Sequence, residues 1–247
     1  MRREFLIGPI AALVVWQLVV SLHVVNAFFL PQPADVAREM VRLVGRGDIF
    51  RDILATCLRV LAGFVIAVVV GVPVGLAMGS SRQLSDSLES VVDLLRSIPG
   101  TALIPLFILF FGVGDKTKIA IAAFAAALVI IVNSMYGVSQ GSRIRRMAAK
   151  TMRVSPLRRF FQVTMPDALP DIFIGFRLGL SACVVLVVVS EMFLGTTVGL
   201  GHRIYDAELL YRIDEMYCGI IITGVFGYLL NRLSVLLERR VVHWAGR

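Results

Sequence analysis

The sequence predicts an all-α, polytopic membrane protein with about six helical spans. Three observations carry this. Of 247 residues, 57% are hydrophobic and 17% charged, whereas soluble domains are about half apolar and about a quarter charged. The mean hydropathy is +0.83. The apolar residues fall in long runs, several of which reach the about 20 residues a span needs. The net charge of +8 fits arginine and lysine collected on the inner side of a membrane. It does not fit nucleic-acid binding, because no aromatic residues interleave with the basic ones. The three cysteines lie in apolar surroundings at spacings that match no metal motif. A metal site is therefore not expected.

The elements follow in order, as one transmembrane domain over residues 1–247. The first apolar run, 5–30, is too long for a signal-peptide core and reads as an uncleaved span. Residues 31–50 form a proline-bounded amphipathic segment, in which Val36, Met40, Leu43 and Val44 keep helical spacing at the outer surface. The second span, 53–79, carries Gly71, Gly75 and Gly79 at four-residue spacing, which invites close approach by another helix. The third, 88–113, is interrupted by Pro99 and Pro105. The fourth is 118–138, the fifth 172–194 and the sixth 216–237. A glycine-rich surface or re-entrant loop, Gly195 to Gly201, follows the fifth.

Between the fourth and fifth spans lies a basic island, residues 143–171. Arg143, Arg145, Arg146, Lys150, Arg153, Arg158 and Arg159 face only Asp167 and Asp171, so this side is cytoplasmic. Arg2, Arg3, Arg82, Arg239, Arg240 and Arg247 then fall on the same side. An even number of spans puts both termini inside. The first half of the island is a helix whose Ala148 and Ala149 keep it slim. Ser155 and Pro156 start a second helix, with Leu157, Phe160 and Phe161 on one face, and Pro166 and Pro170 end it. The result is an elbow with an apolar seam and a cationic rim.

The stretch MAAKTMRVSPLRRFFQVTMP resembles the EAA loop of ABC importer permeases. Ala148 and Ala149 match its alanine pair and Pro166 its closing proline. Met147 stands where the pattern has Glu, and Arg153 where it has Gly. Three further stretches resemble the nitrate/sulfonate/taurine group: FFLPQPADV, RSIPGTALIPLFILFFGVGDKTKI and SEMFLGTTVGLGHRI. The four occur in the family's order. The resemblance implies a type I importer permease of a bacterial inner membrane. It implies that a second copy completes the pore and that two cytoplasmic ATPase subunits, carrying ATP and Mg, bind the elbows. An external binding protein would deliver solute. On this reading Met147, Ala148, Ala149, Arg153, Ser155, Leu157, Phe160, Phe161 and Pro166 form the ATPase-docking elbow.

Ionisable residues inside spans are costly and face protein or a water-filled path. Arg96, Pro99, Pro105 and Glu191 are the candidates for a translocation path. Arg96 precedes the broken part of the third span, where it suits a small anion such as nitrate, a sulfonate or bicarbonate. It equally suits a pair with Asp93 or Glu89. Glu191 reads as an ion pair or hydrogen-bond acceptor. Asn133 and Ser134 are expected to bond between helices. No Walker motif occurs, so the chain is not expected to hydrolyse ATP or to hold a cofactor. A membrane-embedded enzyme is disfavoured because His23, His202 and His243 are scattered and no acidic cluster lies within the spans. A stand-alone secondary transporter predicts an inverted repeat, which the sequence lacks.

Overall fold

A computed structural model describes residues 7–26 and 28–244. Arg2, Arg3 and Arg247, used above for orientation, lie outside them. The described residues are helical in α1 (Ile7–Ser21), α2 (Pro33–Arg46), α3 (Asp48–Ser80), α4 (Arg82–Ser97), α5 (Ile104–Phe111), α6 (Asp115–Gln140), α7 (Arg143–Thr151), α8 (Pro156–Arg159), α9 (Met165–Phe193), α10 (Leu200–Leu209) and α11 (Ile213–Val241). Among the described residues, four helical runs are long and apolar enough to cross a membrane: Asp48–Ser80, Asp115–Gln140, Pro156–Phe193 and Ile213–Val241. A fifth is possible if α4 and the Gly100–Phe111 run count together, but the two are bent by 89°.

The all-helical, multi-span fold expected from hydropathy is thus present, with four or five of its spans long enough among the described residues. The first expected span is represented by the 15 described residues of α1. The third expected span is two helices: Ile98 and Pro99 are extended, and Pro99 removes an N–H where a continuous helix needs one.

The chain forms two compact units. The first holds the described residues up to Thr56 together with Glu191–Phe226, and the second holds Cys57–Ser190 together with the described residues from Gly227. In the first unit, Val36 and Leu43 of α2 are buried with Cys218 of α11, and Trp16, Met40 and Tyr217 pack around them. The predicted amphipathic segment is thus a helix whose Val36, Met40 and Leu43 pack on protein, while Val44 is exposed. Pro33 opens it, and Gly47 closes it with φ 82°, a conformation glycine adopts without strain.

In the second unit, α6 is the central helix, with 56% of its most apolar window buried. Small residues let α3 lie against it. A Cβ on Gly75 would stand 2.4 Å from the Ile131 carbonyl oxygen, so the glycine stripe is the contact itself. Two apolar clusters flank α6. One joins Met78, Val92, Leu128, Ile131, Val132 and Met135. The other joins Leu76, Val138, Ala168 and Ile172, with Phe160 packed on it. Asn133 bonds the Val129 carbonyl of its own helix at 2.8 Å. The buried Ser134 hydroxyl has no partner among the described residues. The expected interhelical bonds are therefore absent at both positions. Glycine-spaced backbones this close leave Asn133 its own preceding turn as acceptor.

Candidate functional site: the elbow, a groove at Arg96 and a buried carboxylate

The elbow begins at Ser142, whose Oγ accepts from the Arg145 N–H at 3.3 Å and caps α7. Sequence reasoning missed this cap, although Ser142 directly precedes the helix formers. Two arginines fix α7 in place. The Arg146 guanidinium donates to the Val138 and Gly141 carbonyls at 2.7 and 2.9 Å, closing the end of α6. Arg145 pairs with Asp167 at 3.0 Å, and only 10% of the Asp167 side chain is exposed.

The break after α7 is a left-handed turn at Arg153, φ 53°. The Arg153 N–H bonds the Lys150 carbonyl at 3.0 Å and the Val154 N–H bonds the Ala149 carbonyl at 3.1 Å. This is the Schellman closure that usually employs glycine. The family's sharp turn is thus kept without its glycine. Ser155 precedes α8 but makes no side-chain cap bond, contrary to the expected capping. Pro156 fixes the start instead.

The prolines Pro166 and Pro170 do not end the helix. Pro156–Phe193 is one helical run, with a π-turn over Phe160–Thr164 in which the Met165 N–H bonds the Phe160 carbonyl. The wider turn shifts the hydrogen-bond register just before Pro166, which then occupies a first-turn position of α9. The elbow is therefore joined rigidly to a span.

Burial distributes the elbow residues. Ala149 is buried and Ala148 exposed. Met147, Met152, Leu157 and Phe161 are exposed, whereas Phe160 packs on the core. Helical spacing gives α7 two grooves. Arg143, Arg146, Met147 and Lys150 line one. Arg145, Ala148, Ala149 and Met152 line the other, which Trp244 of the C-terminal tail also borders.

Arg96 ends α4 and pairs with Asp93 at 3.4 Å, the two side chains 44% and 62% exposed. It borders a groove of about 510 Å³ with Gly100, Phe124, Ala125, Ser181 and Ala182. Helices α4, α6 and α9 supply its walls. Pro99 precedes the short turn at Gly100, and Pro105 sits in the first turn of α5. Elsewhere in this unit Arg59 reaches Asp115 at 2.9 Å and Lys118 reaches the same carboxylate at 3.3 Å.

Glu191 belongs to the first unit and is fully buried. Thr56 Oγ1 donates to its carboxylate at 2.9 Å, and the Gly201 N–H donates at 3.0 Å. Thr56 Oγ1 in turn accepts from the Leu200 N–H at 2.9 Å. The expected loop is thus the entry to α10, which sequence reasoning did not find. Gly199, φ 143°, lies so close that a Cβ there would meet the Glu191 carboxyl carbon at 2.5 Å. Beside it, Arg203 pairs with Asp52 at 2.5 Å and Glu215 at 2.8 Å. Burial works against the Arg203 charge, but Asp52 and Glu215 outweigh it and raise its pKa above the usual value. Among the described residues, no group of three His, Cys, Asp or Glu could hold a metal.

Residues 67–243 match the family model for the binding-protein-dependent transport system inner membrane component. The chain is 29% identical over 246 residues to the taurine transport system permease protein TauC of Escherichia coli, covering 97% of this chain and 89% of that one. It is 32% identical over 239 residues to the nitrate import permease protein NrtB of Synechocystis, covering 93% and 86%. Its fold matches the MetNI methionine ABC transporter in inward-facing conformations, with a TM-score of 0.69 at 20% identity over 78% of this chain and 95% of that one. The described helices, the elbow with its alanine pair and these matches agree: the chain belongs to the binding-protein-dependent transport family, as a multi-pass permease of an ABC importer whose ATP hydrolysis resides on a separate subunit.

Proposed function

We propose that this permease pairs with a second copy of itself and carries a small anion along the groove at Arg96. The observation that carries this reading is a guanidinium set at the mouth of a groove walled by small and apolar residues. Its carboxylate partner among the described residues, Asp93, is 62% exposed and 3.4 Å away, a weak pair in high dielectric. An anion entering the groove therefore competes for Arg96 at little cost. Gly100, Ala125, Ser181 and Ala182 leave room for it. The relative named for nitrate supports a solute of this class, and the taurine of the other carries an anionic sulfonate group.

Two cytoplasmic ATPase subunits, holding ATP and Mg, dock at the elbow through Met147, Ala148, Leu157 and Phe161. Arg153 and Ser155 shape the turn, while Ala149, Phe160 and Pro166 join it to the core. Closure of the ATPases moves the elbow, and the continuous Pro156–Phe193 run carries that motion into the pore. An external binding protein delivers the solute, and both termini lie in the cytoplasm.

The test is uptake by the assembled transporter reconstituted in vesicles, with an alkanesulfonate, nitrate and an uncharged sugar as solutes. Arg96→Ala is expected to lower anion uptake about tenfold or more, as loss of one charge-assisted contact implies. Arg96→Lys is expected to retain part of it. Full anion uptake by Arg96→Ala would reject Arg96 as a path residue.

A further inference from the structure

The groove on the first face of α7 is chemically unlike the rest of the elbow. It holds about 440 Å³ and is lined by Arg143, Arg146, Lys150 and Arg159. No carboxylate lines it. Arg143, Lys150 and Arg159 make no ion pair among the described residues. Arg146 is fixed by the Val138 and Gly141 carbonyls, so one cation of the four is preorganised. The one acidic residue near α7 that forms a pair, Asp167, is taken by Arg145, which borders the other groove. Four cations converging without a counterion repel one another, and an anion between them relieves that repulsion.

The position of the groove indicates where that anion comes from. Gly79 and Ser80 at the end of α3, and Val138 near the end of α6, form its floor. The helix α3 has 33 residues, about 50 Å at 1.5 Å per residue, against a hydrocarbon core of about 30 Å. Its end therefore stands at headgroup depth. Met147, Pro156 and Phe160 add an apolar wall, suited to a glycerol backbone and the first methylenes of an acyl chain.

We propose that this pocket binds the phosphate of an anionic phospholipid, seated between α7, the start of α8 and the ends of α3 and α6. The lipid clamps the elbow to the membrane at the hinge through which motion enters the spans. Met147 is shared with the proposed ATPase-docking seam, but the cations Arg143, Lys150 and Arg159 are not part of that seam, and docking is read separately by ATPase co-purification.

The assembled transporter is placed in nanodiscs of phosphatidylcholine alone or with phosphatidylglycerol. Bound phosphatidylglycerol is counted by native mass spectrometry, and the thermal midpoint is followed. Phosphatidylglycerol is expected to be retained and to raise the midpoint. The triple variant Arg143→Gln, Lys150→Gln, Arg159→Gln is expected to lose roughly a hundredfold in apparent affinity. Arg143→Lys with Arg159→Lys is expected to keep it, as is Arg239→Gln with Arg240→Gln at the C-terminal end of α11. If the triple variant does not assemble, Arg143→Gln and Arg159→Gln alone, each expected to weaken binding severalfold, decide the matter. Equal affinity in the glutamine variants overturns the proposal. So does the same stabilisation by inorganic phosphate in phosphatidylcholine discs, which would assign the pocket to free phosphate.

Discussion

Arg153 holds φ 53° in a turn that carries two Schellman hydrogen bonds. A Cβ in this conformation crowds the backbone, at about 1–2 kcal/mol per residue. Arg153→Gly is therefore expected to stabilise the permease by about 1 kcal/mol, read as a higher thermal midpoint in detergent. Arg153→Ala keeps the Cβ and should leave the midpoint nearly unchanged; an equal gain from both would mean that strain is not the cause. At Gly199 the logic runs the other way, because the absent Cβ leaves room for the Glu191 carboxylate. The Arg203 cluster shows why such residues come as sets. Removing one partner of a buried pair costs about 3–5 kcal/mol, whereas the intact pair contributes much less. These roles depend on φ angles and on partners distant in sequence, neither of which residue type announces.

At the scale of elements, the elbow is a lever built from a short helix, a turn and a long helix. The π-turn at Phe160–Thr164 lets the lever continue through two prolines. Phe160 and Phe161, adjacent in sequence, therefore part company: one packs on Leu76, Val138, Ala168 and Ile172, and the other is exposed. This yields a paired expectation. Leu157→Asp with Phe161→Asp should lower permease-stimulated ATP hydrolysis about tenfold while the protein inserts and melts normally. Phe160→Asp should instead destabilise the fold by about 3 kcal/mol or more, since it removes a packed ring and sets a carboxylate against an apolar cluster. Normal ATPase stimulation by the double variant would remove these residues from the docking surface. The existence of the elbow was legible from helix formers, Ser155–Pro156 and the charge run. The division of its faces was not, because helical spacing does not say which face meets protein.

At the scale of the whole molecule, the charge pattern supports the proposed orientation. The proposed cytoplasmic elbow would have α6 run inward, which would put the turn at Gly114 outside and the C-terminal end of α11 inside. Alkaline phosphatase fused after Gly114 should be active and the same enzyme fused after the C-terminus inactive; the reverse pattern would invert the topology. The sequence by itself determined the helical class, the membrane location, the family and the place of the elbow. Each is written locally, in apolar runs of span length, in the side of the membrane that arginines choose, and in short motifs of fixed spacing. Only the tertiary structure decided how many helices are long enough to cross, the 89° bend after α4, the passage of α9 through Pro170 and the burial of Glu191 beside Thr56 and Gly199. It also decided that four basic residues share one groove while a fifth is neutralised. The physical reason is that these features are settled by hydrogen-bond register and side-chain contacts between segments far apart in the chain, and hydropathy carries no record of either.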